Sequence, residues 1–228
     1  MTTSEPELDI RPEIDAAQRA VLARWASPGA WWTGAERLGI VAETRRALAA
    51  SDVPPPWVAA STLARPAPAV ASLPAAAVDV VWRLTHHPGT LTADWYASVI
   101  DRGLGPGPYT ELVGLVAQVN CVDRFAEALG LAPLDLPEPV SGEPNRAVPD
   151  EVAVRRHWVP TAPVKGPNVL RALSAVPFEN ESRAMLSDAQ YVPAAALLGD
   201  LESGRGALTR PQIELVAART SVRNECFY

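Results

Sequence analysis

The chain has 228 residues, a formal charge of −6 and 48% hydrophobic residues, enough for one large core or two modest ones. No basic stripe is interleaved with aromatics, which argues against a nucleic-acid surface, and no apolar run reaches the length of an ordinary membrane span. Two cysteines cannot build a disulfide framework, and His86, His87 and His157 have no carboxylate or cysteine at metal-ligand spacing, so no metal or other cofactor is expected. The opening Met1-Thr2-Thr3-Ser4-Glu5-Pro6-Glu7 is acidic and polar, unlike a signal peptide, and a cytoplasmic location is expected.

Periodicity predicts a first helix from Asp9 to about Trp25, ended by Ser27-Pro28-Gly29. Thr33 and Glu36 form a capping-box pattern that opens a second helix, with Trp32 before the cap as the outer residue of a hydrophobic staple. That helix carries Leu38, Val41 and Ala42 on one stripe and stops near Ala50, ahead of three consecutive prolines. Residues from Trp57 to Leu73 have weak periodicity and read as partly helical or irregular. A third helix begins at Leu73-Pro74, carries Val78, Val81, Trp82 and Leu84, and ends at His86-His87-Pro88-Gly89, where the imidazoles suit a helix C-terminus. Thr90 is the expected cap of the next helix, which runs to Gly103, and Gly105-Pro106-Gly107-Pro108 is the expected turn.

Tyr109 to Leu129 has the strongest helical pattern, with Leu112, Leu115, Val116 and Val119 on a wide apolar face and Gly130 as C-cap. Cys121, in the middle of it, is expected to be a free buried thiol. Eight prolines between Pro133 and Pro167 then exclude a long helix, so the segment is a linker or an arm lying on the surface, pinned near His157-Trp158-Val159-Pro160. Helical signal returns at Pro167 to Leu173 and continues to about Leu201, with Met185, Leu186, Tyr191, Leu197 and Leu198 as candidate core contacts. Thr209 caps a closing helix with Pro211 in its first turn. The expected organisation is all-α: a first helical unit over residues 1–131, a Pro-rich connector over 132–166, and an incomplete second unit over 167–228.

Placing Thr209 over Thr33 superimposes the helix starts of the two units in kind, although few residues are identical. Within that alignment Cys226 falls on Ala50 and Glu214 on Leu38, so any chemistry at these positions belongs to the second unit alone.

The segments Leu208-Thr209, Glu214-Leu215-Val216-Ala217 and Asn224-Glu225-Cys226-Phe227-Tyr228 closely resemble the approach to the redox motif of the carboxymuconolactone decarboxylase-like, or AhpD-like alkylhydroperoxidase, superfamily. Glu214 precedes Cys226 by twelve residues, as the family pattern requires. Trp31 to Arg37, Trp95 to Leu104, Tyr109 to Gly114 and Pro167 to Leu173 look like a two-unit subgroup of these proteins, in which the C-terminal unit carries the redox pair.

The resemblance implies an AhpD-like helical bundle and reduction of hydroperoxides through a Cys-x-x-Cys pair. In the family the second cysteine attacks the peroxide and the first resolves the sulfenic acid, while a glutamate and a histidine relay protons. Cys226 is then the resolving cysteine and Glu214 the relay carboxylate, and these two are the expected catalytic residues. The implied partners are a hydroperoxide, a thiol or dithiol reductant protein, and further copies of the chain in a homo-oligomer. The second redox position and the histidine fall beyond Tyr228, so the sequence is expected to be cut inside the motif, with a selenocysteine at the next position as the leading explanation. The 228-residue chain itself is expected to show no turnover. The alternatives are a carboxymuconolactone decarboxylase-type enzyme, which needs no redox pair, and a degenerate, non-catalytic helical scaffold.

Overall fold

In the computed structural model, residues 10–63, 73–193, 202, 204–224 and 226 are described, and they form an all-α helical bundle. Its eight α-helices are α1 (Pro12–Ala26), α2 (Gly34–Ala49), α3 (Ala75–His86), α4 (Ala93–Asp101), α5 (Pro106–Ala128), α6 (Asn168–Arg171), α7 (Pro177–Gln190) and α8 (Arg210–Arg223). Among the described residues extended pairing is limited to the isolated bridges Ala153 with Thr161 and Arg205 with Leu208. No helix of the described residues is long and apolar enough to cross a membrane.

The bundle is arranged around α5, which packs against α2, α3 and α7, while α1 lies against α2 and α7. Leu112, Leu115 and Val119 of α5 are fully buried, together with Trp25 of α1, Ile40 and Val41 of α2, and Val80 and Val81 of α3. Each such aliphatic side chain removed from water contributes about 1.5–3 kcal/mol before chain entropy is counted. This core was readable from the three- and four-residue spacing of α5.

The capping box of α2 is formed. Thr33 Oγ1 accepts from the Glu36 N–H at 3.3 Å, and Glu36 Oε2 accepts from the Thr33 N–H at 2.9 Å. Trp32, just before the cap, donates from Nε1 to the Pro108 carbonyl at 3.0 Å, which ties the start of α2 to the first turn of α5. Gly34 is required by proximity: a Cβ there would stand 2.1 Å from the Ala26 carbonyl oxygen and 2.7 Å from that of Val140. At the end of α3 the Nε2 atoms of His86 and His87 lie 2.8 and 3.0 Å from the carbonyls of Ala47 and Pro54. Carrying the proton on Nε2, His86 therefore joins α3 to α2, and His87 joins it to the loop that follows α2.

Several elements differ from the sequence expectation. Thr92, not Thr90, caps α4: Thr90 sits in a 3₁₀ turn (Pro88–Thr90) and gives its hydroxyl to the His87 carbonyl, whereas Thr92 is extended and accepts from the Trp95 N–H. The helix expected from Tyr109 starts at Pro106, because a proline without an N–H fits the first turn at no hydrogen-bonding cost. Its end is as read: Gly130 follows the C-cap Leu129 with φ +70°, the left-handed conformation that glycine adopts freely. Cys121 is exposed rather than buried, with Sγ donating to Gln190 Oε1 at 2.7 Å where α5 meets the end of α7.

The proline-rich arm is pinned near Val159, as expected, and at further points. His157 and Trp158 are exposed, while Val159 packs against the core together with Leu134 and Leu136, and residues 140–146 add a backbone attachment. The N–H groups of Val140, Asn145 and Arg146 donate to the carbonyls of Ala26, Gly29 and Ala30, so the arm satisfies acceptors at the end of α1 and in the loop that follows it. Farther along, Ala162 and Ser174 are buried, and the Ser174 hydroxyl accepts from the Ala162 N–H at 3.0 Å.

The stretch expected to open a second unit supplies α7 to this same bundle, where it lies between α1 and α5. Tyr191 is its C-cap; Leu197 and Leu198, and the run towards Leu201, fall outside the described residues. The closing helix α8 forms with the expected Thr209 start, and Gln212 Oε1 accepts from the Thr209 N–H at 2.8 Å. Its apolar stripe does not enter the core: Leu215, Val216 and Val222 are 62%, 61% and 77% exposed.

Candidate functional site

Glu214 and Cys226, the two residues singled out from sequence, lie on α8 and just past its end. Glu214 Oε2 accepts from the Tyr191 hydroxyl at 2.7 Å, and Oε1 accepts from Arg210 Nε at 2.5 Å, one turn earlier on the same helix. Arg210 is buried, while the Glu214 side chain is about half exposed at 45%. The Tyr191 hydroxyl, followed by the Arg210 guanidinium, holds the Glu214 carboxyl below its ordinary range. The Tyr191 phenol moves the opposite way, raised by partial burial and by the carboxylate it faces. The result is an ionised acceptor coupled to a phenolic proton at the edge of the protein.

Cys226 is a free, exposed thiol whose N–H donates to the Ser221 carbonyl at 2.9 Å. From Glu214 to its last residue Arg223, α8 spans about 14 Å, and Cys226 lies beyond that end, so the helix does not bring the two together. Cys121 and Cys226 are both unpaired. Among the described residues no three His, Cys, Asp or Glu side chains converge to hold a metal ion.

A second polar constellation escaped the sequence reading. Arg37 of α2, Glu111 of α5 and Glu179 of α7 have no exposed surface at all, and both carboxylates reach the same guanidinium nitrogen, Nη1. Glu111 Oε2 also accepts from the Trp31 N–H at 2.7 Å. Gln118 links the remaining groups, accepting from Trp25 Nε1 at 3.0 Å and donating to Glu179 Oε2 at 2.6 Å. Burial pushes the Glu111 carboxyl up, against the pull of Arg37. Two glycines make room: a Cβ at Gly29 would overlap the Glu111 carboxylate, and one at Gly114 would come within 2.7 Å of Glu179 Cβ.

The signal for this cluster was periodicity read without regard to polarity. Glu111, Leu115, Gln118 and Val122 follow one another at helical spacing on a face otherwise filled by aliphatic residues, and Arg37, Val41 and Thr44 do the same on α2. Chemically, three sealed ionic groups from α2, α5 and α7 fix how these helices meet. No reactant reaches them unless the bundle opens.

In comparison with known proteins, no family model, no curated protein and no solved structure matches the chain.

Proposed function

We propose that the chain is an AhpD-like thiol or selenol oxidoreductase that reduces hydroperoxides, with Cys226 as the resolving thiol and Glu214 as a proton relay. The supporting observation is the pairing of Glu214 with Tyr191 and Arg210 on the helix that leads to an exposed, unpaired Cys226. A carboxylate kept ionised beside a phenol can take a proton from a reacting group and pass it on. The all-α bundle is the architecture such a protein needs.

The reaction requires a second chalcogen three positions after Cys226, supplied by a cysteine or selenocysteine that follows Tyr228. Its anion attacks the peroxide, the O–O bond breaks, an alcohol leaves and a sulfenic or selenenic acid forms. The Cys226 thiol then displaces water from that acid to close a disulfide or selenenylsulfide. A thiol or dithiol reductant protein returns two electrons and two protons. In this reading Glu214 acts only if the following segment turns back along α8, and the exposed Leu215, Val216 and Val222 offer the apolar surface for it. The working form is a cytoplasmic homo-oligomer.

The test is to express the reading frame with the codon after Tyr228 decoded as cysteine or selenocysteine. Loss of cumene hydroperoxide is then followed with dithiothreitol as reductant. Turnover is expected from that protein, is lost in Cys226→Ser, falls in Glu214→Gln, and is absent from the 228-residue chain. Undiminished turnover in Cys226→Ser would overturn the proposal.

A further inference from the structure

A cavity of about 250 Å³ opens between the loop that follows α2 and the helices α3 and α4, far in sequence from Glu214 and Cys226. Its apolar walls are the consecutive prolines Pro54 to Pro56 and the indoles of Trp57, Trp82 and Trp95. Trp57 is 83% exposed and stands at the open side of the cavity. Trp82, by contrast, is anchored from behind by its Nε1, which donates to Glu43 Oε1 at 2.6 Å.

Charge in the cavity is unbalanced. Asp79 is neutralised locally, because its carboxylate accepts from the Ser61 N–H at 2.7 Å, from the Ser61 hydroxyl at 2.9 Å and from Arg102 Nη1. Arg83 has no carboxylate partner among the described residues. Its Nη1 donates to the Pro56 carbonyl at 2.7 Å, its Nη2 to the Thr90 carbonyl, and its guanidinium carbon lies 4.9 Å from the centre of the Trp95 ring. Its Nε is buried and finds no acceptor among the described residues. A fixed guanidinium that lacks both a counter-ion and one hydrogen-bond acceptor is stabilised by an anion. Burial accordingly lowers the Arg83 pKa with nothing to offset it.

We infer that this cavity is a binding site for a small, flat, aromatic carboxylate, whose ring lies among the tryptophans and prolines and whose carboxylate pairs with Arg83. The volume falls just below the roughly 300–1,000 Å³ of sites for drug-sized ligands, which suits a single ring better than a fused or extended ligand. Carbonyl contacts from Pro56 and Thr90 hold the guanidinium plane in place, so the anion meets a pre-oriented group. Trp57 on the exposed loop closes the ring's outer face.

Benzoate is the probe, titrated against the 228-residue chain by calorimetry and by tryptophan fluorescence. Benzamide, which keeps the ring and loses the charge, and acetate, which keeps the charge and loses the ring, are the controls. Benzoate is expected to bind saturably at one site, with benzamide and acetate each weaker by roughly tenfold or more, the worth of one charge-assisted hydrogen bond or of a buried ring. Arg83→Gln is expected to lose about the same factor, and Trp57→Ala to weaken benzoate severalfold with an unchanged melting temperature. Equal affinity for benzoate and benzamide overturns the inference, as does the absence of saturable benzoate binding. Should Arg83→Gln fail to fold, Trp57→Ala and the cavity-filling Ser98→Phe decide, and unchanged benzoate affinity in both overturns it.

Discussion

Glu111 and Glu179, sixty-eight positions apart, meet on a single nitrogen of Arg37, and all three side chains are sealed from solvent. One cation facing two anions leaves an excess negative charge in the middle of the bundle. Removing that cation is therefore far costlier than removing either anion. Arg37→Met is expected to destabilise the protein by about 3–5 kcal/mol, because it strands two buried carboxylates. Glu111→Gln is expected to cost much less, since an amide oxygen still accepts from the Trp31 N–H. Urea denaturation of the two variants compares the losses; a smaller loss for Arg37→Met than for Glu111→Gln would show that the triad is not electrostatically coupled.

The same triad sets a pH dependence. Burial raises the Glu111 carboxyl above the ordinary 4.5 despite Arg37, so the folded state holds this proton more tightly than the unfolded chain. The stability contributed is fully present below the unfolded value and is lost as pH rises through the folded one. The stability of the native chain relative to Glu111→Gln is thus expected to fall as pH increases above about 4.5. Denaturation curves taken across that range check the sign, and a relative stability that grows with pH contradicts it.

Gly114 lets α7 approach α5 closely enough for Glu179 to reach the triad. A methyl group at that position would lie 2.7 Å from Glu179 Cβ and 2.9 Å from Cγ, neither of which is the free end of a flexible chain. Gly114→Ala should gain a few tenths to about 1 kcal/mol of helix propensity and lose more through displacement of α7, about 1–3 kcal/mol in all. A melting temperature above that of the native chain would show that α7 yields without cost.

The bundle was legible because the helices carry their own punctuation. The Thr33 box, the prolines after Ala50 and the left-handed Gly130 each act within a few residues of the chain, so sequence order suffices to read them. What failed depended on distant partners. The arm docks at Val159 within the expected segment, but its backbone attachment at residues 140–146 leaves no mark in side-chain pattern. The buried triad was missed because each member looks like a surface charge until α2, α5 and α7 are assembled. Glu214 was singled out through resemblance, while Tyr191, which donates to it, was read only as a core contact.

The two thiols should differ in reactivity. Part of the Cys121 side chain reaches solvent, yet its sulfur is crowded by α5 and α7, donates to Gln190 and is pushed up to about 11. At pH 8 roughly one Cys121 in a thousand is then a thiolate. Cys226 stands exposed at the end of α8 with no such crowding. Iodoacetamide at pH 8 is expected to label Cys226 first, and Cys226→Ser to leave a slowly reacting chain. Peptide mass spectrometry against time measures both, and faster labelling of Cys121 would contradict the geometry.

Glu214 offers a test of the relay that needs no turnover. Its carboxyl is depressed by the Tyr191 hydroxyl and by the hydrogen bond and charge of Arg210. Removing the phenolic oxygen in Tyr191→Phe should therefore raise the Glu214 pKa towards the ordinary 4.5, and Arg210→Gln should raise it as well. The depressed carboxyl contributes stability that is present above the unfolded pKa and lost as pH falls through the folded value, though the half-exposed side chain keeps that contribution small. Carboxyl carbon shifts followed by NMR between neutral and acidic pH report the titration directly. A Glu214 midpoint unchanged in Tyr191→Phe would mean that phenol and carboxylate are not coupled in solution, and the proton path proposed for α8 would lose its second member.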